Sequence, residues 1–283
     1  MKLFLFISLL YFCQTVQICQ VYTKRDIEIC REKFKLAEST NLKSKPIGDV
    51  IVRIGESFIG IDYKAHTLET DGVEKLVVNL TELDCTTFLE NVLAFARLIK
   101  KDSTDFDNYL KELTYIRYRN GKINGYTSRL HYFSDWIFDN VKKDVIQDIT
   151  KNLGGVPVKF QINFMSGHPS FYKQLKENSS FVSVIQTQED SINGRNYFYI
   201  PKDKVKSVEQ KLKDGDLIAF TTSVKGLDVG HVGIVVKGND GSIHLLHAPQ
   251  PNAKVEISKD QLSNYIFNVN KFTGIIVLRA VKN

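Results

Sequence analysis

Apolar positions recur at helical spacing through the first half of the chain and at strand spacing through its end. Ile27 to Ala37 and Asp49 to Phe58 carry apolar residues three and four apart, with Gly60 placed to stop the second segment. The strongest face is Phe88, Val92, Phe95 and Ile99, flanked by Leu89, Leu93 and Ala96; it predicts a helix led by Asp84 as N-cap. "YFSDWIFDNVKKDVIQDI", around Trp136, predicts one or two more helices. Beyond it the pattern changes to short β-branched and aromatic runs broken by Gly, Asn and Pro: "GGVPVKFQINF", "NYFYIP", "GDLIAFTT", "GHVGIVVKG", "SIHLLHA" and "TGIIVLRAV". These runs predict an antiparallel sheet, and with the preceding helices an α+β fold. No repeat, low-complexity tract or linker interrupts residues 20–283, which are expected to form a single domain.

Residues 1–19 stand apart. "MKLFLFISLLYFC" places one charge, Lys2, before an apolar run too short to span a bilayer, as in a secretory signal peptide. Cleavage near Cys19 predicts an exported protein, periplasmic or extracellular, and an uncleaved anchor is the alternative. No later segment is apolar and long enough to cross a membrane. The net charge of +6, from 38 basic and 32 acidic residues, is dispersed without blocks or stripes, so nucleic acid is not an expected partner. A monomer is expected. With two of the four cysteines in the leader, Cys30 and Cys85 remain, too few for a disulfide scaffold. A Cys30–Cys85 bridge is conceivable and would remove Cys85 from any chemistry.

Cys85 heads the predicted Phe88–Ile99 helix, where unpaired N–H groups and the positive end of the macrodipole favour a thiolate. The competing reading is a small buried hydrophobe. A thiolate attacking an amide needs a base, and of six histidines only His231 opens a predicted strand directly after a glycine-bearing loop. His247, on the next strand, is placed to orient that imidazole; His244, three residues away, faces the other side.

In order along the chain, "VIVRIGESFIGIDY", "LDCTTFLENVL", "LKDGDLIAF", "GHVGIVV" and "LLHAP" resemble the NlpC-type cysteine peptidases of the papain-like superfamily. "YKAHTLE", "SRLHYFSDWI", "INFMSGHPSFY" and "GLDVGHVG" are similar to its N-acetylmuramoyl-L-alanine amidase-like branch, from about Gly48 onward. The resemblance implies a papain-like core with the nucleophile helix packed on an antiparallel sheet, plus extra helices. It implies a cysteine amidase cutting the N-acetylmuramoyl-L-alanine bond of peptidoglycan fragments (muropeptides), with Cys85 as nucleophile, His231 as base and His247 as orienting group. The backbone N–H of Cys85 and the Tyr63 hydroxyl are the implied oxyanion donors. Insertion of "KGNDGS" between the strands separates His247 from His231 more than in simple NlpC peptidases. For substrate contacts, the resemblance points to Arg129 and Glu69, with Arg129 suited to a carboxylate. Trp136 either stacks on a sugar face or fills the core, and His131 either contacts substrate or pairs with Asp135 at i and i+4.

Three other readings remain. A zinc amidase draws on His231, His244, His247 and Asp228, but lacks a helical HExxH-like signature, so no metal or other cofactor is expected. An endopeptidase would use the same catalytic group within the wall peptide. A non-catalytic wall-binding module would leave Cys85 as packing.

Overall fold

The computed structural model describes residues 20–250 and 253–281. The expected signal peptide, with Cys13 and Cys19, lies outside them. The longer helices are α1 (Lys24–Ser39), α2 (Ile47–Glu56), α3 (Cys85–Lys101), α4 (Phe106–Arg117), α5 (Phe133–Lys142), α6 (Ser179–Asn193) and α7 (Leu262–Asn268). The principal strands are β1 (Ile146–Asp148), β2 (Val156–Val158), β3 (Tyr197–Pro201), β4 (Leu217–Thr222), β5 (Val229–Lys237), β6 (Ile243–His247), β7 (Glu256–Ile257) and β8 (Phe272–Ala280). They form one eight-stranded sheet in the order β7-β6-β5-β4-β8-β3-β2, with β1 paired to β8. Every pairing in it is antiparallel, so the fold is α+β. None of the described helices is long and apolar enough to cross a membrane.

Strand alternation divides the core in two. Leu217, Ala219, Val232, Ile234, Leu246, Ile276 and Leu278 turn toward the helical layer built by α1 to α5. Ile218, Phe220, Val235, Ile243, Leu245, Ile275 and Val277 turn to the opposite face, covered by α7 and the short helix Val205–Val208. Each strand is thus apolar on both sides, which is why these segments read as near-continuous hydrophobic runs.

Helix α3 is the central strut of the helical layer. Asp84 Oδ1 accepts from Thr87 N at 2.7 Å and Thr87 Oγ1 accepts from Asp84 N at 2.9 Å, a reciprocal cap that fixes the first turn. At the other end Asp102 adopts a left-handed conformation, φ 59°. Between them α3 is buried from Thr87 to Ile99, and its polar residues there are matched. Glu90 accepts from Arg117 Nε at 2.7 Å and from the Trp136 indole at 3.2 Å, and Glu112 of α4 accepts from Arg97 Nε at 2.6 Å.

Two expectations change and one open alternative is decided. The helix after Phe133 ends at Lys142, and Ile146–Asp148 is a strand because it finds β8 to pair with. Helix α2 ends at Glu56 rather than running to Phe58, leaving Gly60, at φ 92°, in the following turns. Trp136 is fully buried, bonded to Glu90 and stacked on Phe133, which takes it out of reach of any sugar.

Candidate active site

Cys85 is the first residue of α3. A two-residue parallel ladder pairs Asp62 with Glu82 and Tyr63 with Leu83, and so ties the Tyr63 segment to the residues leading into the helix. Cys85 and Cys30 are both free thiols; Cys30 is buried in the α1 core and the conceived bridge is absent. The cavity in front of Cys85, about 210 Å³, is bounded by Thr86, His131, Tyr132, Met165, Tyr172 and the Leu227–Val232 segment that carries His231.

His231 is the third residue of β5 and is buried against the rings of Phe220 and Phe272. Its Nε2 lies 2.7 Å from Nδ1 of His247, with the two rings nearly perpendicular. The inserted "KGNDGS" does not separate them. It only lengthens the β5–β6 hairpin loop, while the ladder, with Leu246 opposite Ile234, carries His247 back beside β5. Gly233 makes the approach possible, since a Cβ there would fall 3.1 Å from His247 Cβ and 2.6 Å from Leu245 Cδ1. With Nε2 committed to His247, Nδ1 is the nitrogen of His231 left for a proton. His247 Nε2 is itself buried and has no partner among the described residues. His244 bonds instead to Ser242 and to the Ser258 carbonyl.

The electrostatics differ from the thiolate expectation. The Cys85 sulfur is enclosed although the residue as a whole is half-buried, and burial, with the Asp84 charge beside it, pushes its thiol up to about 12. Hydrogen bonds from the Val232 backbone and from Thr86 offset only part of that. The physical reason is one of magnitude. A helix N-terminus favours an anion by about 0.3–1 kcal/mol, whereas desolvating a charge costs several kcal/mol. Burial likewise holds His231 well below the usual imidazole range and His247 down to about 4. Burial thus favours the neutral thiol and the neutral imidazole at rest.

Burial first, and then nearby Cys85 and Asp84, push the Tyr63 phenol up to about 12, so it stays a hydrogen-bond donor. Tyr265 on α7, which sequence reasoning missed, is raised to about 12 by burial and then by Cys85, and its ring meets His247 edge-on at 5.1 Å. No local pattern marks Tyr265; only the fold of α7 onto β6 brings it there. Asp228, weighed earlier only as a metal ligand, is buried in the cavity wall. Its carboxylate accepts from Ser134 N and Val229 N, each at 2.7 Å. Among the described residues no three His, Cys, Asp or Glu are grouped as a metal site would require.

The remaining expected residues form a neighbouring pocket that shares Thr86, Leu130 and His131 with the first. Arg129 is buried there with Nη2 2.7 Å from Glu69 Oε1 and Nη1 donating to the Leu68 carbonyl, so its carboxylate partner is internal. His131 does not pair with Asp135, which is held by Arg119 and Arg195. Its Nε2 donates to the Tyr126 carbonyl at 3.0 Å, and burial, then the Arg129 charge, lowers its pKa to about 3. It therefore lines the Cys85 cavity as a neutral imidazole.

The model of the AmiA-like family, described as N-acetylmuramoyl-L-alanine amidase-like, matches residues 53–275. Among solved structures, an N-acetylmuramoyl-L-alanine amidase from Bacteroides uniformis is 40% identical, with a TM-score of 0.77 over 83% of this chain and 99% of that one. A putative xylanase from Bacteroides fragilis is 41% identical, with a TM-score of 0.75 over 80% of this chain and 98% of that one. A Legionella pneumophila protein assigned to the DUF1460 family, 19% identical, shares the fold, with a TM-score of 0.68 over 92% of this chain and 97% of its own. No curated protein matches.

Proposed function

Because the chain belongs to the AmiA-like, N-acetylmuramoyl-L-alanine amidase-like family, we propose that it is an exported cysteine amidase, a single papain-like domain, that hydrolyses the bond between the lactyl group of N-acetylmuramic acid and L-alanine in peptidoglycan fragments. The observation that carries the reading is the placement of Cys85 at a helix start, in one cavity with His231, whose far nitrogen is bonded to His247 at 2.7 Å.

In this mechanism His231 Nδ1 takes the Cys85 proton as the sulfur attacks the lactyl carbonyl. The tetrahedral oxyanion is met by the Cys85 N–H, which has no partner within its own helix, and by the Tyr63 hydroxyl. Collapse breaks the C–N bond, and the imidazolium protonates the departing L-alanine nitrogen. Neutral His231 then takes a proton from water, which attacks the thioester and releases the lactyl carboxylate and the Cys85 thiol. His247 accepts the Nε2 proton of His231, which leaves Nδ1 bare and stabilises the charge that develops on the ring. Burial of both histidines favours their neutral forms, the form in which His231 can take a proton.

Glycoside hydrolysis, as in the name of the Bacteroides fragilis relative, ordinarily needs two carboxylates flanking the scissile bond. The Cys85 cavity offers one, Asp228, with both oxygens engaged by backbone N–H groups. The deciding experiment is mass spectrometry of products from defined muropeptides. A stem peptide with a free L-alanine N-terminus, together with a free lactyl carboxylate, is expected. Cleavage within the stem peptide alone, or full activity in a Cys85→Ala variant that a chelator abolishes, would overturn the proposal.

A further inference from the structure

With Trp136 buried, no residue so far described meets the saccharide that the proposed substrate carries. The chain touches the Cys85 cavity at Met165 and again at Tyr172, and Phe164, just before this excursion, stacks with His168 and Phe171 within it. Phe164 and His168 have centroids 4.6 Å apart, His168 and Phe171 5.4 Å apart, with interplanar angles of 29° and 20°. His168 is locked into the stack by a hydrogen bond from Nδ1 to the Phe164 carbonyl at 2.9 Å. The base of the excursion is fixed too, since Met165 N donates to the Tyr132 hydroxyl and Ser166 N to Glu189. Yet His168 is exposed, and Phe171 remains 69% exposed at the end of the stack. Aromatic rings held rigid and facing solvent beside a cavity offer a preformed surface for the apolar face of a ligand.

We infer that the Phe164–His168–Phe171 stack is a saccharide platform, with Phe171 taking the apolar face of the sugar that precedes N-acetylmuramic acid in a disaccharide fragment. The inference rests on the amidase reading in one respect. The acyl group attacked by Cys85 would be joined directly to the muramic ring, so a sugar must lie at the cavity mouth when the sulfur reaches its carbonyl. The "INFMSGHPSFY" segment then supplies its outer rim.

The experiment measures binding of a disaccharide-tripeptide and of the corresponding monosaccharide-tripeptide to Cys85→Ala protein by calorimetry, with and without Phe171→Ala and Phe171→Trp. Phe171→Ala is expected to raise Kd for the disaccharide ligand about tenfold and for the monosaccharide ligand less than twofold, while Phe171→Trp retains the disaccharide affinity. In the Cys85-intact enzyme the same change should raise KM for the disaccharide substrate and leave kcat alone. Equal Kd values for the disaccharide ligand with Phe and Ala at 171, or equal weakening for both ligands, would overturn the platform. Because binding is read without turnover, those results are distinct from a failure to release peptide, which overturns the amidase reading instead.

Discussion

The two ends of the buried polar system around α3 are built on opposite principles. In its middle, Glu90, Arg117 and Trp136 satisfy one another, as do Arg97 and Glu112, all in the dry core. At its start, one polar group near Cys85 is left short of a partner: His247 Nε2 is buried without one among the described residues. Satisfied networks hold a fold in one arrangement, whereas unsatisfied groups beside a cavity keep hydrogen-bonding capacity in reserve for a substrate. Substitutions at the two ends should therefore separate stability from activity.

The largest effect is expected at Cys85. Replacing it by Ala should lower kcat/KM by at least about 10³-fold, since nucleophile and base act as a unit. The thermal midpoint should stay within a few degrees of the parent, because Cys85 is half-buried and its helix cap is made by Asp84 and Thr87. A large fall in the midpoint would mean that Cys85 is packing. The mirror experiment is Glu90→Ala, which strands Arg117 in the core and should cost about 3–5 kcal/mol of unfolding free energy in a urea titration. At equal folded fraction it should leave kcat near the parent value; a catalytic loss without destabilisation would merge the two regions.

The same contrast explains what could be read from the sequence. Cys85, His231 and His247 sit at positions with local signals: a residue after an N-cap, a residue early in a strand, and a neighbour on the adjacent strand. The strands were legible because both their faces are buried. Helix α6 was not, since Ile185, Glu189 and Ile192 are its only buried residues and most of its surface is polar. Helix α4 has Tyr109, Leu110, Leu113 and Ile116 at helical spacing, a pattern overlooked beside the stronger one of α3. The Arg129–Glu69 pair joins residues 60 apart, and Tyr265 reaches the site only through α7, so neither leaves a mark in its own neighbourhood. The upward push of burial on the Cys85 thiol also leaves no local mark, because position at a helix start is local and desolvation is not.

A smaller loss is expected from Tyr63→Phe. If the phenol donates to the oxyanion, kcat should fall about 10²-fold with KM little changed, the usual consequence of removing one such donor. An unchanged kcat would leave Tyr63 as a wall residue only.

The effect that tests both regions at once is acid lability. His231 and His247 have folded pKa values below the 6.5 of a free imidazole, so the unfolded chain binds more protons than the native one as pH falls through 6.5. Their neutral burial thus contributes stability that is complete above 6.5 and declines toward about 4 for His247 and further for His231. The slope is about 1.4 kcal/mol per pH unit for each histidine in that window. Urea titrations at pH 7, 6 and 5 should show it, and a His247→Gln variant should lose one histidine's share of the slope while retaining the Glu90–Arg117 contribution. A parent protein whose stability is flat from pH 7 to 5 would mean that these imidazoles are not neutral by burial. The resting thiolate–imidazolium pair would then return as the better description of the site.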